Sequence, residues 1–374
     1  MLRKSVRLLF LTALCTTPFF SYATQYPLTV TDLDGKSVTI KQEPQRIILQ
    51  DGRDIMAMAL LDRDNPFQRL VAWNNLAKKQ DTATWERDML KGKWPQSVGI
   101  LDMGFSDKGN VDLESVLSKQ PDLMIAQLRA KAALKESGVI DKLSALNIPV
   151  LFVDYEVNPA QDTAPSIDLL GKVLNREANA KAYTDFYRQH FDAIQQKTAA
   201  ISPKPSVFVE PIAGNSDSCC FTHSKSGWGG LVEAVGAKNI GSDLLPGATG
   251  FVSLEKIISM KPDAYIMTGS KRGNSQVLPL GYGASVEDVR NQANVLLSRT
   301  GISQIPAVQA KHVYGVYHHF YNHPYNIVGM EYLAKDIYPQ AFTSLNPDDT
   351  YHHIIQNFTS LPDSDFIFAW KQGE

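Results

Sequence analysis

The sequence predicts an α/β protein of two lobes, each built on a central, mostly parallel sheet, with one long α-helix joining them. Three observations carry this. The segment Val111–Ile125 returns as Val252–Ile266 with seven of fifteen positions identical, 141 residues further on, a separation of domain size rather than of a solenoid repeat. Short apolar runs alternate with helical patterns, as in a parallel sheet with helices on its faces. Between the two copies lies one helical pattern from about residue 165 to 200, with apolar side chains at Ile167, Leu170, Val173, Leu174, Ala182, Phe186, Phe191 and Ile194.

The N-terminus reads as an export signal. Arg3, Lys4 and Arg7 precede the apolar run Leu8–Leu14, and Ser21-Tyr22-Ala23 offers a cleavage site, so the mature chain is expected to begin near Thr24. Cys15 follows Leu14, where a lipid-anchored protein has a small residue. A soluble exported form is therefore favoured over a lipoprotein. Without residues 1–23 the net charge of −2 becomes −5, which gives no electrostatic case for nucleic acid. The expected division is 1–23 signal peptide, 24–164 first lobe, 165–202 linking helix and 203–374 second lobe.

Thr29–Thr31 and Ser37–Ile40 flank Asp34-Gly35 and read as a hairpin. Arg46–Leu49 is a short buried strand, Ile55–Leu61 a helix and Leu70–Trp73 a strand. Residues 74–97 form a polar excursion. In each copy of the repeat, Asp112 or Ser253 is an N-cap, Glu114 or Glu255 sits in the first turn, and a proline ends the helix. The strands Leu123–Ala126 and Ala264–Met267 follow. A helix around 130–146 and the strand Val150–Val153 complete the first lobe. Pro203 and Pro205 close the linking helix. The second lobe opens with Val207–Val209, a glycine-rich loop over 213–230, and a helix through Leu231–Val235 stopped at Gly236. Later come the strand Val313–Val316, an aromatic and histidine-rich loop, a helix Ile327–Ile337 stopped by Pro339, and a tail with helical stretches.

The adjacent Cys219-Cys220 leaves three readings: a vicinal disulfide, two thiols, or a soft metal site. The disulfide is favoured because the pair sits in an exposed loop of an exported chain. Tyr317–Tyr325 holds three of the chain's eight histidines. Tyr317, His318, His319 and Tyr321 are candidates for ligand contact, and His318, His319 and Tyr321 for metal coordination. The other reading is a strand end whose aromatics fill core space. No hydrolase or phosphate-loop motif is evident.

The signal peptide, the Asp-Gly hairpin, the strand in Pro44-Gln45-Arg46-Ile47-Ile48-Leu49, the two L-E-x-(V/I)-(L/I)-x-x-x-P-D motifs and the helix between them together resemble the periplasmic substrate-binding proteins of ABC importers for ferric siderophores, haem and vitamin B12, the helical-backbone class. The resemblance covers the mature chain. It implies two Rossmann-like lobes, a ligand held in the cleft with small lobe movements, and docking of Glu114 and Glu255 onto arginines of an inner-membrane permease. One carboxylate per lobe suits a two-fold partner; the helix dipole alone also favours glutamate in a first turn.

Ligands of such sheets bind beyond the carboxyl ends of the strands, which nominates the loops at 50–53, 73–74, 127–129, 155–156, 210–228, 270–272 and 317–325. Arg53, Arg129, Lys271 and Arg272 are the cations expected to meet an anionic chelate, and Trp73 and Trp228 the stacking platforms. The expected cargo is an Fe(III) chelate, with no intrinsic cofactor and a monomeric carrier. Haem, cobalamin or a histidine-bound transition metal is the alternative cargo, and an exported thiol-dependent enzyme the remaining one.

Overall fold

The computed structural model describes residues 24–74, 76, 92–104, 111–216, 219–271 and 276–374. The expected signal peptide, Cys15, Arg272 and most of the polar excursion lie outside them. Among the described residues, no helix is long and apolar enough to cross a membrane.

The predicted hairpin is present as β1 (Leu28–Thr31) and β2 (Ser37–Ile40), antiparallel. Asp32 closes its turn by accepting from the backbone N–H of Asp34 and Lys36, both at 3.0 Å. The first lobe's sheet comprises β3 (Ile47–Leu49), β4 (Leu70–Trp73), β5 (Leu101–Asp102), β6 (Leu123–Gln127) and β7 (Val150–Val153). All are parallel, in spatial order β5-β4-β3-β6-β7. Strand order therefore reverses at β3. The helix expected around 130–146 is two, Lys131–Glu136 and Val139–Ala145. Gly138 separates them at φ 73, a left-handed value that glycine adopts without the Cβ clash.

The second lobe contains β8 (Ser206–Glu210), β9 (Phe221–His223), β10 (Lys238–Asn239), β11 (Thr249–Phe251), β12 (Ala264–Gly269), β13 (Gly281–Tyr282), β14 (Val313–Tyr317), β15 (Phe366–Ile367) and β16 (Ala369–Lys371). Its main sheet runs β10-β8-β12-β14-β16, parallel except for β16. Strand order reverses beside β8. Two features were not foreseen. The glycine-rich loop contains β9, which pairs antiparallel with β11, and its helix starts earlier, at Gly227. The tail supplies the edge strand β16.

The long helix between the lobes is Glu177–Ala199. The pattern that begins near residue 165 belongs to a separate helix, Pro159–Val173. They part at Leu174–Arg176, where Asn175 takes φ 56, a conformation that asparagine tolerates better than most residues. The chain folds back there, and a Cβ on Gly171 would come within 2.4 Å of the Ala180 Cβ. The periodicity is continuous because both helices bury one apolar face, so hydrophobicity alone does not mark the joint.

Behind the cleft, the helix Asn326–Ile337 ties the helical pair to the second lobe. The buried Asn326 amide donates to the Pro159 carbonyl at 3.0 Å and to Thr163 Oγ1 at 2.8 Å, and its oxygen accepts from the Tyr187 hydroxyl at 2.8 Å. Tyr325 donates to the Met56 carbonyl of the first lobe at 3.1 Å. Buried polar groups so completely paired fix one arrangement of the elements.

Candidate functional site

Loops that leave the carboxyl ends of β3, β6 and β7 in one lobe and of β8, β12 and β14 in the other meet between the lobes, where ligands of such sheets bind. In the first lobe, the loops are knitted together before any side chain reaches outward. Gly52 N–H donates to Asn74 Oδ1 at 2.7 Å, and Gln127 N–H donates to Gln50 Oε1 at 3.1 Å. A Cβ at position 52 would lie 2.5 Å from the Asn74 carbonyl oxygen, so glycine is required there by close approach.

Arg53 and Arg129 come together on this floor, and neither points into open space. Asp51 Oδ1 accepts from Arg53 N–H and Nε, both at 2.9 Å, and Asp51 Oδ2 accepts from Arg129 Nη2 at 2.5 Å. Glu156 Oε2 stands 2.9 Å from Arg129 Nε and 3.8 Å from Arg53 Nη2. Burial by itself would raise the Asp51 pKa, but the adjacent guanidinium of Arg53, with that of Arg129, holds it well below the usual carboxylate range. Asp54, buried beside them, moves the other way: burial and the neighbouring Asp51 charge push it well above that range. Its Oδ1 accepts from Gln127 Nε2 at 2.6 Å. Two arginines and two carboxylates thus form a compact, nearly neutral network.

Asp154 fixes the next loop. Its carboxylate accepts from the backbone N–H of Glu156 (2.9 Å), Val157 (2.7 Å) and Asn158 (2.7 Å). Burial raises its pKa to about 6 against these hydrogen bonds. The Glu156 carbonyl then accepts from Gly227 N–H of the second lobe at 2.8 Å.

The facing wall is built of phenol, imidazole and amide side chains. The turn His318–Asn322 presents Tyr321, whose phenol is pushed up to about 12 by burial and then by the Glu156 charge, so it stays protonated and can donate. With the Asn322 amide turned so that its oxygen faces them, it accepts from Tyr321 and Arg53 across the cleft. His318 Nδ1 is 2.8 Å from Thr268 Oγ1, and its carbonyl accepts from the Trp228 indole N–H at 3.1 Å. His223 Nδ1 accepts from Trp228 N–H at 3.2 Å, and burial lowers its pKa to about 4. The His318 and His223 rings lie 4.8 and 5.5 Å from that of Tyr321. Burial likewise lowers His323 to about 3.

Of the residues singled out from sequence, Arg53, Arg129, His318 and Tyr321 converge. His319 is buried on the same turn, its ring 5.4 Å from that of His318. The other nominated side chains are placed apart from these. Trp73 and Trp228 are fully buried, Trp73 edge-on to Phe67 at 5.5 Å, so neither offers a stacking face. Tyr317 is buried too, stacked on Phe368 at 4.9 Å. Lys271 is exposed, and its amine donates to the Gly283 carbonyl at 2.9 Å rather than joining the arginines. Among the described residues, no three His, Cys, Asp or Glu side chains are placed to hold a metal ion. Asp51, Glu156, His223 and Asn322 were not singled out. They lie in the nominated loops or beside nominated residues, and the signal was the proximity of acids to arginines.

Cys219 and Cys220 are joined in a disulfide, and Cys220 exchanges backbone hydrogen bonds with Val252 at 3.1 and 2.9 Å. Glu114 and Glu255 are exposed in the first turns of Leu113–Leu117 and Leu254–Met260. Asp112 and Ser253 cap these helices by accepting from Ser115 N–H (3.2 Å) and Lys256 N–H (3.4 Å). Each helix leads into the strand that flanks its lobe's first strand, β6 beside β3 and β12 beside β8.

Comparison with known proteins agrees with this architecture. The periplasmic binding protein family matches residues 67–317. An uncharacterized ABC transporter substrate-binding lipoprotein, YvrC of Bacillus subtilis (strain 168), is 26% identical over 325 residues, covering 85% of this chain and 87% of the relative. The crystal structure of the TroA-like periplasmic binding protein FepB from Veillonella parvula superposes with a TM-score of 0.84 at 22% identity, covering 93% of this chain and all of the other. The molybdate-bound periplasmic binding protein MolA of Haemophilus influenzae gives 0.66 at 17% identity, covering 90% of this chain and 100% of the other. The chain belongs to the periplasmic binding protein family.

Proposed function

We propose that this member of the periplasmic binding protein family, the substrate-binding component of an ABC transporter, captures an Fe(III) chelate of the siderophore class between its lobes and delivers it to the inner-membrane permease. The observation that carries the reading is the opposition of the Arg53–Arg129 floor to the aromatic wall of Tyr321, His318 and His223. Arginine forks suit the anionic oxygens of a chelate, and aromatic rings suit its flat organic shell. A histidine-bound metal is the weaker reading. His223 accepts from Trp228 N–H at Nδ1, which puts the proton of its neutral ring on Nε2, and among the described residues no three His, Cys, Asp or Glu side chains are placed to hold a metal ion.

Mass spectrometry of ligand retained on natively purified protein, followed by fluorescence titration with catecholate, hydroxamate and carboxylate iron chelates, tests the cargo. Binding of a metal-free compound alone would overturn it. Tyr321→Phe, which removes one donor from the wall, is expected to weaken the bound chelate by about tenfold, as loss of a hydrogen bond to a charged group does.

Docking is assigned to Glu114 and Glu255, exposed at equivalent places in the two lobes. Glu114→Ala with Glu255→Ala should abolish uptake while cargo affinity stays within about threefold, because the pair lies outside the residues lining the cleft. Normal uptake by that double variant would reject the assignment. Export with cleavage near Thr24 and a monomeric carrier complete the reading. Intact mass and light scattering check both, and a lipidated Cys15 is the outcome that would replace them.

A further inference from the structure

The two carboxylates on the arginine floor are held unequally. Asp51 is 1% exposed at its side chain and binds both guanidinium groups, and the loop that carries it is locked to Asn74 through Gly52. The Glu156 side chain is 23% exposed, and its Oε2 lies 2.9 Å from Arg129 Nε and 3.8 Å from Arg53 Nη2. Its main chain is pinned at both ends of the residue, the N–H by Asp154 and the carbonyl by Gly227 of the opposite lobe. Only its side-chain torsions are free to move it. With Asp51 buried between Arg53 and Arg129, Glu156 is the second carboxylate in contact with both guanidinium groups.

We infer that Glu156 is an internal competitor for the cargo: it holds the Arg53–Arg129 position that a carboxylate, or a similarly compact oxygen anion, of the cargo takes, so that loading exchanges one carboxylate for another. The inference rests on the proposed reading of the cleft as the ligand site. The exchange replaces one carboxylate ion pair on the arginines by another, so it discriminates. An anionic group that reaches both arginines displaces Glu156, and a neutral ligand has nothing to offer in return. The carbonyl of the same residue bridges to Gly227, so the side chain turns without breaking the link between the lobes.

The test uses metal-free citrate as a carboxylate probe on mature protein labelled with ¹⁵N-arginine, following the Nε–Hε resonances of Arg53 and Arg129. Glu156→Gln, which keeps shape and removes charge, is expected to bind citrate at least about tenfold more tightly than the parent, or about 1.4 kcal/mol. Glu156→Ser should do the same, and Arg129→Gln combined with Glu156→Gln should lose the gain. Equal citrate affinity in parent and both single variants, or no saturable shift in any of them, overturns the inference. The iron-chelate panel is read separately: failure of every chelate to bind the parent rejects the cargo reading whatever citrate does.

Discussion

The two lobes end their first strands in an acid and use it differently. In the first lobe, Asp51 lies just past β3, and it gathers two arginines that face the cleft. In the second, Glu210 ends β8 and is closed off: Arg299 grips it bidentately at 2.7 Å from both terminal nitrogens, and Tyr265 donates to it as well. The same topology thus yields a network of two arginines and two carboxylates facing the other lobe in one case and an internal strut in the other. On the proposed function, an anionic cargo would be read by the first lobe and covered by the aromatic wall of the second.

The largest expected effect separates these roles. Asp51→Asn leaves two guanidinium groups short of a buried counter-charge and should cost roughly 3–5 kcal/mol in urea unfolding, as breaking a buried pair by removing one partner does. Glu210→Gln should cost a comparable amount and leave cargo affinity intact, whereas Asp51→Asn should change both. Equal effects on affinity would erase the distinction between the lobes.

A second contrast is in pH. His223 is depressed to about 4 by burial, so the unfolded chain binds its proton more readily than the native one. Its contribution is full above about pH 6.5 and is lost as pH falls towards 4, by roughly 3 kcal/mol at the limit. Asp154 in the first lobe is raised to about 6. Its burial costs most above that pH, and the cost is relieved as pH falls towards 3.8. The two oppose each other across nearly the same window, and His323, lowered to about 3, adds to the histidine side. Urea midpoints at pH 7 and pH 5 should show net loss on acidification, reduced in His223→Gln. A parent protein more stable at pH 5 would mean that the buried carboxyls of raised pKa, Asp54 and Asp154 in the first lobe and Asp336 in the second, outweigh the histidines.

The smallest effect concerns the repeat itself. Asp122 accepts from Gln45 N–H (2.8 Å) and Arg46 N–H (3.0 Å), and Asp263 from Ser206 N–H (2.7 Å). Each therefore pins the start of its lobe's first strand. Asp122→Ala and Asp263→Ala should each cost about 1 kcal/mol, the net worth of such hydrogen bonds, measured by thermal unfolding. An effect in one lobe alone would show that the copies no longer do the same structural work.

That repeat explains how much was legible in the sequence. Among its seven identical positions, Asp122 and Asp263 hold β3 and β8; the caps Asp112 and Ser253, and Gln120 and Lys261, left-handed at φ 50 and 49 before each proline, keep a backbone duty with a different residue in each copy. Local chemistry of this kind shows through periodicity and turn residues. The break at Asn175 did not show, because two packed helices and one long helix bury the same apolar stripe. Strand β16 did not show either, since its place at the sheet edge is decided by pairing with β14.

For the site, the sequence by itself determined the element order, the paired lobes, and the loops from which functional side chains would come. Only the tertiary structure decided which of those side chains face the cleft. Trp73 and Trp228 went to the core because burying a large apolar surface outweighs exposing it. Asp51 stands two residues from Arg53, and that pair is local; the pairing of Arg129 with Asp51, and of Glu156 with both arginines, spans up to 103 residues and arises only when parallel strands bring these loops to one edge. Local pattern records what a backbone segment must do; how many further charges a guanidinium group meets depends on contacts between segments.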